Sequence, residues 1–404
     1  MMMASMRLCW VQVNAVPYQE ARLRAAAMQM PLRVGVVQLA GRDAFRALEL
    51  AIQGDKSIDR RTLFPDKRFD DIDGRAMVRG LRALLDELRP NVVCINGWSE
   101  GGCIAALGWC VANRVPAVLM SESTAYDQRR WWWKEAIKRR IVGLCSASLV
   151  GGSAHRDYMA ELGASPDHVF MGYDAVDNDH FRKGAERARR AESSLRQELS
   201  LPPAYFMACS RFEAKKNLPG LLRGYARYRE LASGRPWSLV VVGDGELKEE
   251  LFALRHRLGL EGHVLFPGAK NYQDLPSYYG LAGAFVHAST TEQWGLVVNE
   301  AMAAALPVLV SKRCGCAPDL VVPGSNGLLF DPDDVNSIAS AMVEIADGAH
   351  RLRAMGRNSQ TIVGRWSPTR FAESLNEAVD AAMRRPVPVP RPIDRLLLWM
   401  LRER

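Results

Sequence analysis

Two carboxylates separated by a short apolar run are the clearest chemical feature of the sequence. Glu292 and Glu300 stand in the run TEQWGLVVNEAMAAALPVLVS, with seven residues between them. A carboxylate held in a loop can bind sugar hydroxyls, and one just inside a following helix can accept hydrogen bonds from both hydroxyls of a ribose. The spacing therefore indicates a sugar-nucleotide site. The alternative is a solvated loop residue followed by a charge on a helix surface.

The apolar pattern around this pair predicts the elements that would position it. We expect a buried strand over Ala284–His287, a turn over residues 289–295, a helix over 297–305 and a strand over 307–311. The first backbone amides of a helix have no partner within it, and the helix dipole favours negative charge there. The amides of Gly295, Leu296 and Val297 would thus bind a diphosphate, which Gly295 would allow to approach closely.

A second group of charges lies upstream, in the run SRFEAKKN. When the bond between a sugar and a nucleoside diphosphate breaks, negative charge accumulates on the phosphate, and fixed cations stabilise it. Arg211 and Lys216 in this run are therefore candidates for binding a leaving diphosphate. Taken alone, the run is more typical of a solvated loop at the end of a strand in a basic protein.

Five ordered blocks resemble the nucleotide-sugar half of the retaining family-4 glycosyltransferases. The blocks are SRFEAKKN (210–217), VVGDG (241–245), Val264–Gly268, the paired-glutamate block (292–300), and PDLV (318–321) with Gly327–Phe330. In that family an Arg and a Lys of the first block neutralise the donor diphosphate, which the resemblance transfers to Arg211 and Lys216. By the same resemblance Glu300 would hold the ribose and Glu292 the donor sugar.

The resemblance implies an α/β protein of GT-B architecture, with two Rossmann-like domains facing each other across a cleft. It implies retaining transfer of a sugar to an acceptor hydroxyl, with a UDP- or GDP-linked nucleotide sugar as co-substrate and no cofactor or metal. Loops of the N-terminal domain would hold a sugar or lipid-linked acceptor, which makes Asn14, Glu122 and Ser153 the candidates. Glu122 stands where many relatives have a His, and a structural role for it remains open. Members of the family often act in cell-surface polysaccharide or glycolipid synthesis, and the resemblance implies such a pathway here.

The length of 404 residues suits two domains better than one core. Short apolar runs alternate with helix-like segments, which indicates mostly parallel sheets covered by helices. We predict an acceptor-binding domain over residues 1–190, a nucleotide-sugar domain over 191–383 and a basic apolar tail over 384–404. By family resemblance, the helix predicted over 371–383 would cross back onto the first domain. The strands predicted for that domain are residues 8–13, 32–38, 92–95, 117–120 and 147–150.

The formal net charge of +8 permits anionic partners, and two segments place cations beside apolar residues. The run RRWWWK at 129–134 predicts a helix that could rest on an anionic membrane surface. The tail over 393–401 is apolar and flanked by arginines, but it is shorter than the ~20 residues that span a bilayer. The alternative for each is a helix that buries its apolar face in the protein. We expect no nucleic-acid partner, because the sequence shows no zinc-finger spacing, aromatic RNA-binding strand or arginine-rich arm.

Eight scattered cysteines do not form a disulfide framework, which agrees with a reducing compartment. The first residues lack a convincing secretory signal, so a cytoplasmic location is expected, with peripheral contact at the inner face of the membrane. Cys314 and Cys316 lack a second cysteine pair, and we interpret them as structural. The turn at Gly243 and Gly245 is interpreted as a feature of the fold only.

Other functions remain open for this sequence. A GT-B-like sugar-nucleotide epimerase or phosphorylase would share the fold, and a phosphorylase of the familiar type would carry pyridoxal phosphate on a lysine. A noncatalytic sugar-nucleotide-binding or assembly protein of a polysaccharide pathway is the candidate from a different class. The presence of both glutamates and both cations argues against a decayed catalytic site.

Overall fold

The computed structural model describes residues 7–14, 17–42 and 58–403. The chain divides into two compact units. Unit 1 comprises Met1–Ala175 together with Pro368–Arg404, and unit 2 comprises Val176–Ser367. The strand pairings that the structure describes in each unit are parallel, as the alternating sequence pattern predicts.

Unit 1 contains a sheet with helices around it. Its described strands are β1 (Arg7–Gln12), β2 (Arg33–Arg42), β3 (Asp59–Arg68), β4 (Val92–Asn96), β5 (Ala117–Ser121), β6 (Ala147–Val150) and β7 (Val169–Met171). The strand order is β3-β2-β1-β4-β5-β6-β7. The strands β1 to β3 are added towards one edge of the sheet and β4 to β7 towards the other, so the strand order reverses between β1 and β4. The described helices before residue 175 are α1 (Pro17–Gln29), α2 (Gly74–Leu88), α3 (Gly101–Asn113), α4 (Trp132–Gly143) and α5 (Ser153–Glu161).

Unit 2 repeats this arrangement. Its strands are β8 (Tyr205–Cys209), β9 (Ser238–Val242), β10 (Val264–Gly268), β11 (Ala284–His287), β12 (Val308–Ser311) and β13 (Gly327–Phe330). The order is β10-β9-β8-β11-β12-β13, so the reversal lies between β8 and β11. Its helices are α6 (Asn178–Arg190), α7 (Glu192–Glu198), α8 (Leu218–Leu231), α9 (Lys248–Arg257), α10 (Leu275–Leu281), α11 (Leu296–Ala303), α12 (Ala317–Leu320), α13 (Val335–Asp347) and α14 (Leu352–Val363).

Two further helices, α15 (Pro368–Arg384) and α16 (Pro392–Leu401), belong to unit 1. α15 lies against α1 and the strands β4, β5, β6 and β7. Its residues Phe371, Leu375 and Val379 are fully buried, and the Phe371 ring lies 5.5 Å from that of Trp10 on β1. The helix that the resemblance expects to cross back onto the first domain is thus part of unit 1, because its apolar face completes the core there.

The boundary between the units differs from the predicted one at residue 190. Unit 2 begins at Val176, because α6 packs on α10. The Phe181 ring lies 5.7 Å from that of Tyr279, and Gly184 leaves room for Pro276, which a Cβ would approach to 2.4 Å. The sequence of α6 is mostly charged, so its apolar pattern does not predict this packing face.

The predicted tail is likewise not separate. α16 packs on α3 and α4, and the Arg140 guanidinium on α4 lies 2.7 Å from the Asp394 carboxylate on α16. Among the described residues, every helix is too short or too polar to cross a bilayer.

The predicted apolar runs coincide with β1, β2, β4, β5 and β6. The pattern does not predict β3, whose sequence DRRTLFPDKR is largely polar and exposed. That composition suits its position at the edge of the sheet, where polar side chains discourage pairing with another chain.

Candidate functional site

The carboxyl ends of β8 and β11 meet at the centre of the unit 2 sheet. These strands are neighbours, with Phe285 paired to Met207, although β9 and β10 lie between them in the sequence. An open parallel sheet leaves a crevice at such a reversal of strand order, and ligands bind there. The loops that leave the two strands carry Lys216 and Glu292.

The loop after β8 is held by hydrogen bonds on both sides of Lys216. Lys216 ends a single 3-10 turn, and Asn217 follows it with a left-handed φ of 51°. The Asn217 side-chain amide donates to the carbonyl of Pro332 over 2.7 Å. The N–H of Thr290 donates to the carbonyl of Lys215 over 2.9 Å. The loops after β8 and β11 are therefore joined through their backbones beside the site.

The glycine turn after β9 packs against the same loop. A Cβ on Gly243 would lie 1.9 Å from the carbonyl oxygen of Ser210, and one on Gly245 would lie 2.7 Å from the backbone nitrogen of Phe212. The Phe212 N–H donates to the carbonyl of Asp244 over 2.9 Å. Only glycine permits this approach. The turn interpreted from the sequence as a feature of the fold thus supports the backbone that carries Arg211 and Lys216.

Glu292 is the centre of a group of polar side chains. Its Oε2 forms an ion pair with the Lys216 ammonium and accepts a hydrogen bond from Ser289 Oγ at 3.2 Å. The same oxygen lies 3.2 Å from His287 Nε2. The side chains of Lys216 and Glu292 are only 12% and 11% exposed, and charges this buried need such partners. The Glu292 group is therefore a preformed, charge-paired site.

The surroundings set the protonation of this group. Burial by itself raises the pKa of the Glu292 carboxyl, but the hydrogen bond from His287 and the charge of Lys216 outweigh it, so the net pKa lies well below its usual range. Burial lowers the pKa of His287. Near neutral pH Glu292 is therefore an anion and His287 a neutral imidazole.

The loop after β12 fixes the backbone of Glu292. The N–H of Gly315 donates to the carbonyl of Glu292 over 3.0 Å, and that of Cys316 donates to Trp294 over 3.2 Å. The thiols of Cys314 and Cys316 are buried in the core and form no disulfide, a position that agrees with a structural role. Across the part of the chain that the structure describes, no group of His, Cys, Asp or Glu side chains could hold a metal ion.

α11 begins beside the Glu292 group. Its N-cap is Gly295, at a φ of 106°, and a Cβ there would lie 3.4 Å from Glu292 Cγ. Glu300 lies one turn further along and is fully buried, with its Oε2 accepting a hydrogen bond from the Tyr279 hydroxyl at 2.6 Å. The interpretation of Glu300 as a helix-surface charge is therefore wrong.

Arg211 takes a different environment on the loop after β8. Its guanidinium lies 2.8 Å from the Glu213 carboxylate, and 56% of its side chain is exposed. The structure thus brings Lys216, Glu292 and Gly295 into one buried group, whereas Arg211 lies at an exposed position.

In unit 1, Glu122 follows β5 and belongs to a largely buried network. Its carboxyl lies close to that of Asp174, which lies 3.6 Å from the Arg22 guanidinium. Arg22 also donates to the carbonyl of Ala175 over 3.0 Å and lies over the Tyr173 ring. Burial, followed by the charge of Glu122, raises the pKa of Asp174 well above its usual range. Asp174 therefore keeps its proton to a higher pH than an ordinary Asp.

The other acceptor-side candidates also follow strands of unit 1. Asn14 lies half-buried after β1, and Ser153 is the first residue of α5, after β6. Residues 15 and 16, the next two after Asn14 in the sequence, lie outside the described residues. His155, two residues after Ser153, is buried, and its Nδ1 accepts a hydrogen bond from the N–H of Gly152 at 3.2 Å. The carboxyl ends of three parallel strands, β1, β5 and β6, are thus followed by Asn14, Glu122 and Ser153.

The tryptophan run lies on the surface of unit 1. Trp131, Trp132 and Trp133 are 43%, 83% and 46% exposed. The Arg129 guanidinium lies 4.7 Å from the centre of the Trp131 ring, and the Lys134 ammonium lies 5.4 Å from that of Trp133. The alternative in which α4 buries its aromatic face within the chain is therefore wrong.

Residues 191–361 match the model of the family described as Glycosyl transferases group 1. These residues belong to that family. The group 1 glycosyltransferase region includes both loops of the Glu292 group, α11 and the glycine turn after β9. The recognition drawn from the five sequence blocks is confirmed at this level.

Curated relatives carry glycosyltransferase names. The GDP-mannose-dependent alpha-(1-6)-phosphatidylinositol monomannoside mannosyltransferase of Mycobacterium tuberculosis is 33% identical over 201 residues, which cover 47% of this chain and 51% of that protein. The D-inositol 3-phosphate glycosyltransferase of Corynebacterium kroppenstedtii is 27% identical over 307 residues, covering 71% and 66%. The chain thus spans about half the length of the first of these relatives.

Solved structures match nearly the whole chain. Anabaena HepE in complex with UDP-glucose superposes with a TM-score of 0.72 at 20% identity, covering 93% of this chain and 99% of that one. Sucrose-phosphate synthase from Thermosynechococcus elongatus gives 0.72 at 18% identity, covering 93% and 98%. At these identities the likeness is one of fold, and it confirms the GT-B fold with two parallel-sheet units.

Several residues of the site are missed by the sequence interpretation. His287 and Ser289 contact Glu292, Tyr279 contacts Glu300, and the loop after β12 holds the Glu292 backbone. A signal existed for His287 and Ser289, because polar residues directly after a buried parallel strand lie at the ligand-binding edge of a sheet. Tyr279 lies in an apolar helix and gives no such signal.

Proposed function

We propose that the protein is a retaining glycosyltransferase of family 4 that moves a sugar from a nucleotide-sugar donor to an acceptor hydroxyl. The Lys216–Glu292 ion pair carries the proposal, because it lies at the strand-order reversal of the group 1 glycosyltransferase region. A diphosphate requires positive charge and a sugar requires hydrogen-bond acceptors, and this pair supplies both.

Unit 2 would bind the diphosphate and the donor sugar. Lys216 and Arg211 would contact the phosphates together with the first amides of α11, which no side chain caps. Glu292 would accept hydrogen bonds from the sugar. Donor binding would exchange the Lys216–Glu292 contact for one contact from each side chain to the ligand, so both charges stay paired before and after binding.

Glu300 would bind the ribose hydroxyls, with its carboxylate oriented by Tyr279. A UDP- or GDP-linked donor agrees with two of the similar proteins: HepE was crystallised with UDP-glucose, and the mannosyltransferase is named as GDP-mannose-dependent. The nucleotide sugar would be a co-substrate, and in this proposal transfer requires no cofactor or metal, because side-chain cations and helix amides stabilise the leaving group.

Transfer would proceed with attack on the face from which the diphosphate leaves. The bond between the anomeric carbon and the phosphate oxygen breaks while the bond to the acceptor oxygen forms. The acceptor proton passes to an oxygen of the departing diphosphate, so no side chain has to act as the base. Lys216 and Arg211 would stabilise the charge that develops on the diphosphate.

Unit 1 would hold a sugar or lipid-linked acceptor through the loops that carry Asn14, Glu122 and Ser153. The exposed tryptophans and adjoining cations of α4 support contact with an anionic membrane, since Trp and basic residues favour the lipid–water interface. We place the protein in the cytoplasm, peripheral at the inner membrane face, in synthesis of a cell-surface polysaccharide or glycolipid. The relative that acts on phosphatidylinositol monomannoside is named for such a lipid-linked acceptor.

Thermal unfolding in the presence of UDP, GDP, ADP and their common sugar conjugates tests the donor site. Stabilisation by one nucleotide series is expected, at about 2.7 kcal/mol when the ligand is at 100 times its Kd. Lys216→Ala should abolish this stabilisation and Lys215→Ala should keep it. If the protein bound the nucleotide but released no nucleoside diphosphate from the sugar donor with any acceptor in a panel of sugars and glycolipids, that result would favour the noncatalytic function instead.

A further inference from the structure

α16 has apolar residues on two opposite faces. Leu397 and Leu398 lie on the inner face and are buried against the rest of unit 1. Ile393, Leu396, Trp399 and Met400 are exposed, Trp399 by 57%, and their spacing of three and four places them on one stripe of the helix. An exposed apolar stripe of this kind indicates a partner, because a helix that only caps a soluble core is polar on its outer face.

A groove of about 370 Å³ lies under this helix. α16 forms one wall with Leu398 and Trp399, and α2 and α3 form the others with apolar residues that include Val78, Ile104 and Val111. The volume is in the range of small-molecule sites, ~300–1,000 Å³. The groove therefore suits a narrow apolar group.

The other side chains that line this groove are cationic. They are Arg82 on α2 with Arg395 and Arg402 at α16. Arg402 lies 3.6 Å from Glu403, and within residues 58–403 the structure gives Arg82 and Arg395 no acidic partner. The Arg402 Nε is buried and has no hydrogen-bond partner in the described structure. Asp394, the acidic residue of α16, is already paired with Arg140. The charge at the groove thus favours an anion, and arginine suits a phosphate.

We propose that this groove binds one anionic phospholipid of a membrane. Its acyl chain would lie between α16 and α3, and its phosphate would contact Arg82, Arg395 and Arg402. The exposed stripe of α16 would enter the same lipid monolayer. The lipid is the occupant that satisfies all three features together: an apolar groove, arginines beside it, and an apolar stripe next to them.

This site extends the proposed membrane contact to α16 and does not depend on sugar transfer. Its failure and that of the glycosyltransferase assignment are separable, because vesicle binding needs no donor and nucleotide binding needs no lipid.

Co-sedimentation of the full chain with vesicles tests the site. Binding should be strong to vesicles that contain phosphatidylglycerol and weak to pure phosphatidylcholine. The double variant Arg82→Gln/Arg395→Gln should weaken binding about 30-fold, since each basic residue near an anionic surface contributes ~1 kcal/mol and 1.4 kcal/mol is tenfold. Arg227→Gln/Arg223→Gln, which removes two charges from α8, is the matched control. Equal binding by the two double variants would overturn the proposal.

A second pair of variants tests the exposed apolar stripe of α16. Trp399→Ser should weaken vesicle binding at least tenfold, whereas Met28→Ser, at an exposed apolar position of α1, should leave it unchanged. If Trp399→Ser instead abolished a dimer seen by gel filtration and left vesicle binding intact, the stripe would be a contact between two copies and the proposal would fail.

Photo-crosslinking distinguishes a bound lipid from a general anion site. Phosphatidylglycerol with a photoactivatable acyl chain should label α3 at the groove, near Ile104 and Val111. Labelling confined to the outer stripe would overturn the groove site. Displacement of the lipid by inorganic phosphate at comparable concentration would show that only a free anion binds, which also contradicts the proposal.

Discussion

The ammonium of Lys216 and the carboxylate of Glu292 form a largely buried ion pair between residues 76 positions apart in the sequence. The pair joins the loops that follow β8 and β11, which are adjacent strands of the unit 2 sheet. Each charge compensates the burial of the other, so the removal of either one has consequences for the stability of the protein as well as for its proposed activity.

Lys216→Ala should lower the rate of sugar transfer about 10²- to 10³-fold, the usual effect of removing one preorganised group that stabilises developing charge. Arg211→Ala is expected to have an effect of the same size. Steady-state release of nucleoside diphosphate measures both. Lys215→Ala is the matched control, because its exposed side chain lies next to Lys216 and only its backbone carbonyl takes part in the site. Near-normal turnover by Lys216→Ala or Arg211→Ala would refute the phosphate assignment of that residue.

Glu292→Gln should lower the free energy of unfolding at neutral pH by about 3 kcal/mol, because it leaves the Lys216 ammonium without its charged partner. The pKa of Glu292 is lowered in the folded protein, so its contribution to stability is present above its ordinary value of 4.5 and is lost as the pH falls toward the lowered value. Urea unfolding over a range of pH should therefore show the gap between wild type and variant closing in acid. A gap that stays constant with pH would show that Glu292 is not ionised in the folded protein.

Gly295→Ala should impair both stability and nucleotide affinity. Alanine at a φ of 106° is strained by about 1–3 kcal/mol, and its Cβ would lie 3.4 Å from Glu292 Cγ. Gly259→Ala is a matched control, because Gly259 also has a positive φ, of 62°, but no atom within 4 Å of a new Cβ. Calorimetric titration with the preferred nucleotide should show weaker binding for Gly295→Ala alone. Equal affinity in the two variants would exclude Gly295 from the donor site.

Asp174→Asn should change how stability depends on pH. The pKa of Asp174 is raised in the folded protein, so its contribution is fully present below the unfolded value and is lost as the pH rises through the raised value. The variant cannot ionise there and should lack this loss. Unfolding by urea at a series of pH values, for both proteins, measures the difference. Parallel curves would show that Asp174 does not titrate in the way its burial indicates.

The local geometry of the donor side follows closely from the sequence. A buried strand, a turn, a helix and a second strand were expected around Glu292, and β11, α11 and β12 occupy those positions. The prediction of these elements is correct because each one is short, strongly apolar and bounded by turn residues. The prediction of Glu292 and Lys216 as partners of one ligand needed the resemblance, since no periodic pattern connects residues so far apart.

The parts that escaped prediction depend on tertiary contacts. Glu300 was expected to face a ribose, but its burial against Tyr279 depends on how α10 packs beside α11. The start of unit 2 at Val176 likewise depends on how α6 packs beside α10, where the Phe181 ring lies 5.7 Å from that of Tyr279. In both cases the decisive quantity is the shape of the neighbouring surface, which a local pattern does not encode.

The two-segment construction of unit 1 has a consequence for how the chain folds as it leaves the ribosome. Unit 2 is one continuous stretch and is complete once Ser367 has emerged, whereas unit 1 lacks Phe371, Leu375 and Val379 of its core until α15 follows. Translation ordinarily lets the N-terminal domain fold first. Here the nascent first domain must wait with an open apolar face, so translation pauses and chaperone access before α15 emerges would act on unit 1 far more than on unit 2.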